Sequence, residues 1–157
     1  MYFLLGFKNA FKGIYVSIKS GHNLRLQFVA GAYCMMLAPF FAKSRSEWAI
    51  LILTISSVLA LEVVNTALER MCDIIEPSFN KIIKAAKDMA AGAVLICSVA
   101  SIAVAGLIFF RWDSLQQLLE FCRQERWYPL LLGILMIPSA IFMKNGKKCR
   151  NTKFMNK

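Results

Sequence analysis

The sequence lacks the motifs by which most soluble enzymes bind nucleotides. It has no GxxxxGK[ST] phosphate loop, no GxGxxG turn and no HRD or DFG motif of protein kinases. Its single histidine, His22, excludes a metal cluster built on histidines. Its five cysteines include no CxxC pair, so we interpret them as small apolar residues or reduced thiols. Any nucleotide or metal site therefore has to be built from other residues.

Apolar residues are abundant instead. They make up 58% of the 157 residues, and the mean hydropathy is +0.54. A soluble domain of this length cannot bury so many apolar side chains, so the composition predicts a membrane protein. Nineteen Lys and Arg against nine Asp and Glu give a net charge of +10. In a membrane protein this charge indicates topology and contact with anionic headgroups, and we expect no nucleic-acid partner.

Hydrophobic patterning predicts an all-α integral membrane protein. Residues 2–19 have an apolar face and a lysine face, which favours an amphipathic surface helix in the membrane interface; a soluble helix packed on the rest is the alternative. Three transmembrane helices follow, and a fourth, C-terminal span is expected, with a re-entrant or surface segment as its alternative. Pro138 would kink that last segment. The predicted spans are residues 24–42, 48–73, 81–110 and 127–143, and a tight polar turn is predicted at 43–47.

The basic residues are unevenly distributed between the two sides that four spans would define. The N-terminal region, the 74–87 turn and the C-terminal tail carry most of them, which predicts that these parts are cytoplasmic. We divide the chain into a membrane domain, residues 1–110, and a second part, residues 111–157. The second part is expected to contain a linker, the extra transmembrane helix and a basic cytoplasmic tail.

A stripe of polar residues interrupts the second span, within LEVVNTALERMCD (61–73). At about 100° per residue, these side chains fall within roughly 100° of one another on the helix. Ionisable groups on a membrane helix are costly and usually face a protein interior or a polar cavity. The polar stripe consists of Glu62, Asn65, Thr66, Glu69 and Asp73.

Folding the second and third spans back on the turn at 76–80 predicts what the stripe faces. Glu69 is expected opposite Lys87 and Asp88, just before the small residues AAGA (90–93), which let membrane helices approach closely. Carboxylates with neutral oxygen donors suit Mg²⁺, and a lysine suits phosphate. Two alternatives stay open: the polar groups pair with one another to lock the helix bundle, or they serve ion or proton passage.

LEVVNTALERMCD followed by AKDMAAGAVL resembles the small integral-membrane bacterial lipid kinases, the diacylglycerol kinase/undecaprenol kinase family. The resemblance covers roughly residues 7–110 and rests on E-x-x-N-x-x-x-E with a downstream KDM. FKNAFKGI and HNLR add support, and AAGAVLI is closer to the undecaprenol branch. The resemblance implies a homotrimer in the bacterial plasma membrane, with active sites shared between protomers on the cytoplasmic side. It also implies transfer of the ATP γ-phosphate to a lipid hydroxyl.

The family's functional residues carry over to matching positions of this chain. Gly21 is a departure, because the family usually has a second metal-ligating Glu there, and the neighbouring His22 is a poor ligand for a hard cation. We therefore expect an ATP- and Mg²⁺-dependent kinase of undecaprenol or diacylglycerol; the alternative is an inactive homologue or a non-enzymatic membrane protein. The predicted roles are general base (Glu62), orienting group (Asn65), Mg²⁺ ligand (Glu69) and nucleotide contacts (Lys87, Asp88 and, at the start of the third span, Asn80).

Overall fold

The regular structure of the chain is helical in the computed structural model, which describes residues 2–75 and 80–144. The predicted turn at 76–79, with Pro77, and the basic tail after Lys144 lie outside the described residues. The all-α integral membrane fold is confirmed. The helices are α1 (Tyr2–Ser20), α2 (His22–Phe41), α3 (Arg45–Ile75), α4 (Lys81–Phe109), α5 (Trp112–Gln124) and α6 (Trp127–Lys144).

Four of these helices, α2, α3, α4 and α6, are long and apolar enough to cross a membrane. They correspond to the three expected spans and the expected fourth one. Pro138 lies inside α6, where the helix continues on both sides of it. The helix α1 leaves large apolar side chains exposed, among them Phe3 and Phe11, as expected of a surface helix in the membrane interface.

The start of α3 differs from the prediction by one helical turn. Residues 43–47 were expected to form a polar turn, whereas α3 begins at Arg45. The reason is a capping box: the backbone N–H of Glu47 donates to the Ser44 hydroxyl at 3.2 Å, and the Ser44 N–H donates to the Glu47 carboxylate at 3.3 Å. This extra turn makes α3 a helix of 31 residues, which is longer than a hydrocarbon core requires.

The most extensive packing joins α3 and α4, and α2 lies against α3. The approach of α2 to α3 is closest at Gly31, where an added Cβ would stand 2.9 Å from Cγ2 of Ile55. An apolar core closes the end of the bundle opposite to the polar stripe. This core consists of Ala38, Phe41, Ala42, Leu51 and Ile108.

The last described helix, α6, returns along α2 in the antiparallel direction. At one end, the Tyr128 hydroxyl donates to the carbonyl oxygen of Met36 at 2.7 Å, and its ring lies 5.5 Å from that of Phe40. At the other end, Nδ1 of His22 donates to the carbonyl oxygen of Met143 at 3.1 Å. The C-terminal end of α6 therefore lies beside the α1–α2 junction.

Candidate functional site

The polar stripe is graded in burial along α3. Glu62, Asn65 and Thr66 are 3%, 6% and 6% exposed, whereas Glu69 and Asp73, towards the end of the helix, are exposed. By helical rise, Glu62 lies about 10 Å deeper than Glu69. The inner half of the stripe thus faces protein, and its outer half is open.

The carboxyl group of Glu62 lies between α3 and α2. The side chains of Asn23 and Gln27, on α2, are its polar neighbours. A buried carboxyl group requires such polar neighbours, because burial without hydrogen bonds is strongly unfavourable. The sequence analysis did not assign Asn23 and Gln27 to the site. The available signal was Gln27 itself, a polar side chain within an apolar span.

Asn65 connects the buried half of the stripe to the exposed half. Its Nδ2 donates to Oε1 of Glu69 at 3.2 Å, across one helical turn. Its Oδ1 is buried and has no hydrogen-bond partner among the described residues, and the same holds for Oε1 of Gln27. Asn65 therefore links the two halves of the stripe, and two buried acceptors at this end of the bundle are unpaired within the described residues.

Lys87 contacts the stripe at a different residue from the predicted one. It forms an ion pair with Asp73, one turn nearer the loop than Glu69, and Glu69 lies in the same neighbourhood. Positions 73 and 87 are equally far from Asn80, the residue before α4. The prediction had instead paired the two helices around the middle of the 76–80 turn. Asp88 is exposed, and within residues 2–75 and 80–144 it forms no ion pair.

Asn80 has an evident structural role. It is the N-cap of α4, and its side-chain oxygen accepts a hydrogen bond from the backbone N–H of Ile82 at 2.9 Å. This leaves the side-chain NH₂ group as the part of Asn80 that is available for a ligand. Its assignment to the nucleotide, like the other assigned roles, stays a prediction.

Gly21 lies where the α1–α2 junction meets the stripe. An added Cβ would stand 3.5 Å from Oγ1 of Thr66 and 3.1 Å from the carbonyl oxygen of Ser17. A carboxylate at this position would therefore enter the site. Gly21 provides no such carboxylate, and the part of the chain that the structure describes holds no group of three metal-ligating side chains.

An open cavity of about 440 Å³ lies between α2, α3 and α4. It begins at Asn23 and Gln27, the neighbours of Glu62, and extends along the apolar surfaces of the three helices towards Ala105. An apolar cavity that starts at buried polar groups suits a lipid whose polar end lies near Glu62.

Buried polar residues at one end of a helical membrane bundle, beside an apolar cavity, are what a membrane enzyme acting on lipids requires. The sequence matches the family model of the prokaryotic diacylglycerol kinases over residues 8–109. The chain belongs to this family and is a lipid kinase of the diacylglycerol/undecaprenol kinase type.

Curated relatives support the same membership. An undecaprenol kinase of Bacillus subtilis (strain 168) is 38% identical over 109 residues, which cover 68% of this chain and 87% of the relative. A diacylglycerol kinase of Synechocystis sp. is 33% identical and covers 67% of this chain and 61% of the relative. A diacylglycerol kinase of Helicobacter pylori (strain 26695) is 33% identical, and the match covers 67% of this chain and 80% of the relative. No solved structure matches the chain. The family match ends at residue 109, before α5 and α6.

Proposed function

We propose that this protein transfers the γ-phosphate of ATP to the hydroxyl group of a membrane lipid, with undecaprenol as the first candidate and diacylglycerol as the second. The observation that carries the proposal is buried Glu62, whose neighbours Asn23 and Gln27 line one end of the apolar cavity between α2, α3 and α4. The similarity to a named undecaprenol kinase, together with the AAGAVLI sequence, favours undecaprenol.

Glu62 acts as the general base in this proposal. Its carboxylate accepts the proton of the lipid hydroxyl while the hydroxyl oxygen bonds to the γ-phosphorus. The bond between that phosphorus and the β–γ bridging oxygen breaks, and ADP leaves. Asn23 and Gln27 lie beside the Glu62 carboxyl group and line the end of the cavity where the lipid hydroxyl would enter.

The exposed half of the stripe suits the nucleotide. Lys87 is half-buried beside Asp73 and Glu69, and a lysine there provides positive charge for phosphate. Mg²⁺ commonly binds through one or two carboxylates, with substrate phosphates and water completing its shell, so Glu69 suits a cation that arrives with ATP. Such a cation neutralises phosphate charge when bound. Asn65 keeps the Glu69 carboxylate oriented for this contact.

ATP consumption by the purified protein in detergent micelles tests the reaction. We expect turnover that depends on Mg²⁺ and is stimulated by undecaprenol more than by dioleoylglycerol. Glu62→Gln should lower the rate by at least a hundredfold, because general-base catalysis contributes about 10²–10⁴-fold. Glu69→Gln should raise the Mg²⁺ requirement. Glu120→Gln, on the exposed surface of α5, is the matched control.

Lipid-independent ATP consumption, or none, would contradict the kinase proposal and leave the stripe as a structural device or an ion-coupling element. Full activity of Glu62→Gln would remove Glu62 from the mechanism. A stronger response to dioleoylglycerol would change the acceptor and leave the reaction unaltered.

The site is proposed to lie at the cytoplasmic face of the bacterial plasma membrane, on the basis of the uneven distribution of basic residues. A cysteine introduced at Lys84 in a cysteine-free background tests this sidedness. It should react with a membrane-impermeant maleimide in inverted vesicles and be protected in right-side-out ones. The opposite pattern would place the site on the outer face.

A homotrimer is also proposed. Most of α4 is left uncovered by the other helices, and an added Cβ at Gly92 would meet nothing within 4 Å. Packing among the described residues therefore does not require a glycine at position 92. The small residues at 90–93 are available for contact with a second copy of the chain. Native mass spectrometry should show trimers for the wild type and smaller species for Gly92→Ile. Monomers for the wild type would contradict the proposal.

A further inference from the structure

A second, smaller cavity lies where α1, α2 and α6 meet. It measures about 200 Å³ and shares no lining residue with the cavity beside Glu62. At about 30 Å³ per water molecule it would hold roughly six waters, which suits a headgroup rather than a whole lipid. Its lining residues are Tyr15, Ile18, Lys19, Arg25 and Phe142.

The cavity is lined by two cations, Arg25 and Lys19, that have no anionic partner among the described residues. Arg25 is only 4% exposed, and its Nε has no hydrogen-bond partner in the described ranges. The ion pairs formed within these ranges join other residues, so neither Arg25 nor Lys19 is paired with a carboxylate there. A buried guanidinium is strongly unfavourable unless an anion and hydrogen-bond acceptors accompany it. An anionic ligand in the cavity would supply both.

The rest of the lining indicates that the ligand also has an apolar part. Ile18 and Phe142 are apolar, and Tyr15 adds an aromatic ring with a hydroxyl group. The surrounding surface of α1 exposes Phe11 and Ile14 towards the membrane interface. A headgroup that carries negative charge on an apolar body fits this combination better than a free inorganic ion does.

One wall of this cavity is supplied by α6, which lies outside the part of the chain that matches the family. Phe142 lies outside the family match at 8–109, whereas the other lining residues lie within it. The hydrogen bond from His22 to the Met143 carbonyl oxygen holds the end of α6 beside the cavity. Without α6, the cavity would lose one side.

We propose that this cavity binds the phosphate group of an anionic glycerophospholipid. The guanidinium of Arg25 and the ammonium of Lys19 contact the phosphate oxygens, which matches the preference of these groups for phosphate. The bound lipid bridges α1, α2 and α6 and fixes the C-terminal helix to the membrane interface. This site needs neither ATP nor the residues of the polar stripe.

Native mass spectrometry of the full chain in neutral detergent tests the proposal, with dihexanoyl phosphatidylglycerol as the probe and no nucleotide present. The comparators are dihexanoyl phosphatidylcholine, whose headgroup has no net charge, and inorganic phosphate. We expect phosphatidylglycerol to bind selectively. Arg25→Gln and Lys19→Gln should each weaken its binding by about tenfold, the effect of losing one charge-assisted hydrogen bond. Phe142→Ala should weaken it too.

Two controls separate this site from the proposed kinase site. Lys12→Gln alters an exposed lysine of α1 that does not line the cavity, and Lys87→Gln alters the proposed nucleotide site; both should bind the lipid as the wild type does. If Arg25→Gln fails to fold, Lys19→Gln still decides the question, because Lys19 is exposed. Three results would overturn the proposal: unchanged lipid binding by Lys19→Gln, a loss of lipid binding in Lys87→Gln, or binding of phosphatidylcholine equal to that of phosphatidylglycerol. If equimolar inorganic phosphate displaced the lipid, the ligand of this cavity would be a soluble anion and not a lipid.

Discussion

Gly21, at the junction of α1 with α2, faces Thr66 of α3, with 3.5 Å between an added Cβ on Gly21 and Oγ1 of Thr66. Gly21→Glu would therefore add to the stripe a second candidate Mg²⁺ ligand beside Glu69. We expect the Mg²⁺ concentration for half-maximal activity to fall about tenfold, because affinity for hard cations rises with the number of charged oxygen ligands. Steady-state kinetics against Mg²⁺ in micelles measure this.

Gly21→Gln is the matched control, since it meets the same tight contact, 3.1 Å from the Ser17 carbonyl oxygen, without adding charge. An equal response of the two variants would show that size, and not the carboxylate, causes the change.

In the proposed reaction, a nucleotide would have to displace Asp73 from Lys87, because the two side chains form an ion pair. Asp73→Asn should lower the KM for ATP a few-fold and leave the thermal midpoint nearly unchanged, since exposed ion pairs contribute little to stability. Lys87→Gln should raise the KM for ATP. ATP titrations of both variants beside the wild type measure these effects. A higher KM for Asp73→Asn would show that Asp73 assists nucleotide binding.

Ser114, in the first turn of α5, is fully buried, and its hydroxyl has no hydrogen-bond partner among the described residues. Ser114→Ala removes this buried polar group and should increase the free energy of unfolding by about 1 kcal/mol. Ser139→Ala is the contrasting variant, because it removes a hydroxyl that donates to the Leu135 carbonyl oxygen at 2.6 Å. Unfolding by SDS in mixed micelles measures the free energy of unfolding of both variants and the wild type. A destabilised Ser114→Ala would mean that the hydroxyl has a partner.

Gly31 permits the close approach of α2 to α3, because an added Cβ would stand 2.9 Å from Cγ2 of Ile55. Gly31→Ala should destabilise the bundle by about 1–3 kcal/mol through overpacking, which exceeds the gain in helix propensity of about 1 kcal/mol. Gly133→Ala, where nothing lies within 4 Å of the added Cβ, should show the propensity gain alone. The same SDS titration measures both variants. Equal stability of the two would show that Ile55 moves aside freely.

Much of the secondary structure could be predicted from the sequence. The lengths of the apolar runs and the turns between them predict α2, α3, α4 and α6, because a membrane span requires about twenty apolar residues. The start of α3 was misplaced because the capping box of Ser44 and Glu47 was interpreted as a turn. Local hydrogen-bond chemistry, and not hydropathy, determines that boundary.

The polar stripe also follows from the sequence, since helical periodicity alone brings Glu62, Asn65 and Glu69 to one face of α3. What those residues contact depends on the register between helices. That register placed Asp73, and not Glu69, beside Lys87, and it brought Asn23 and Gln27 to Glu62.

The sequence by itself determined the membrane fold, the stripe and the family pattern, because composition and periodicity are local properties of the chain. Only the tertiary structure decided that α6 returns along α2 and completes a cavity around Arg25 with Phe142. These two residues are more than a hundred positions apart, and no periodic pattern relates them. Their proximity depends on how far α5 and α6 extend and on which face of α2 the aromatic rings pack against.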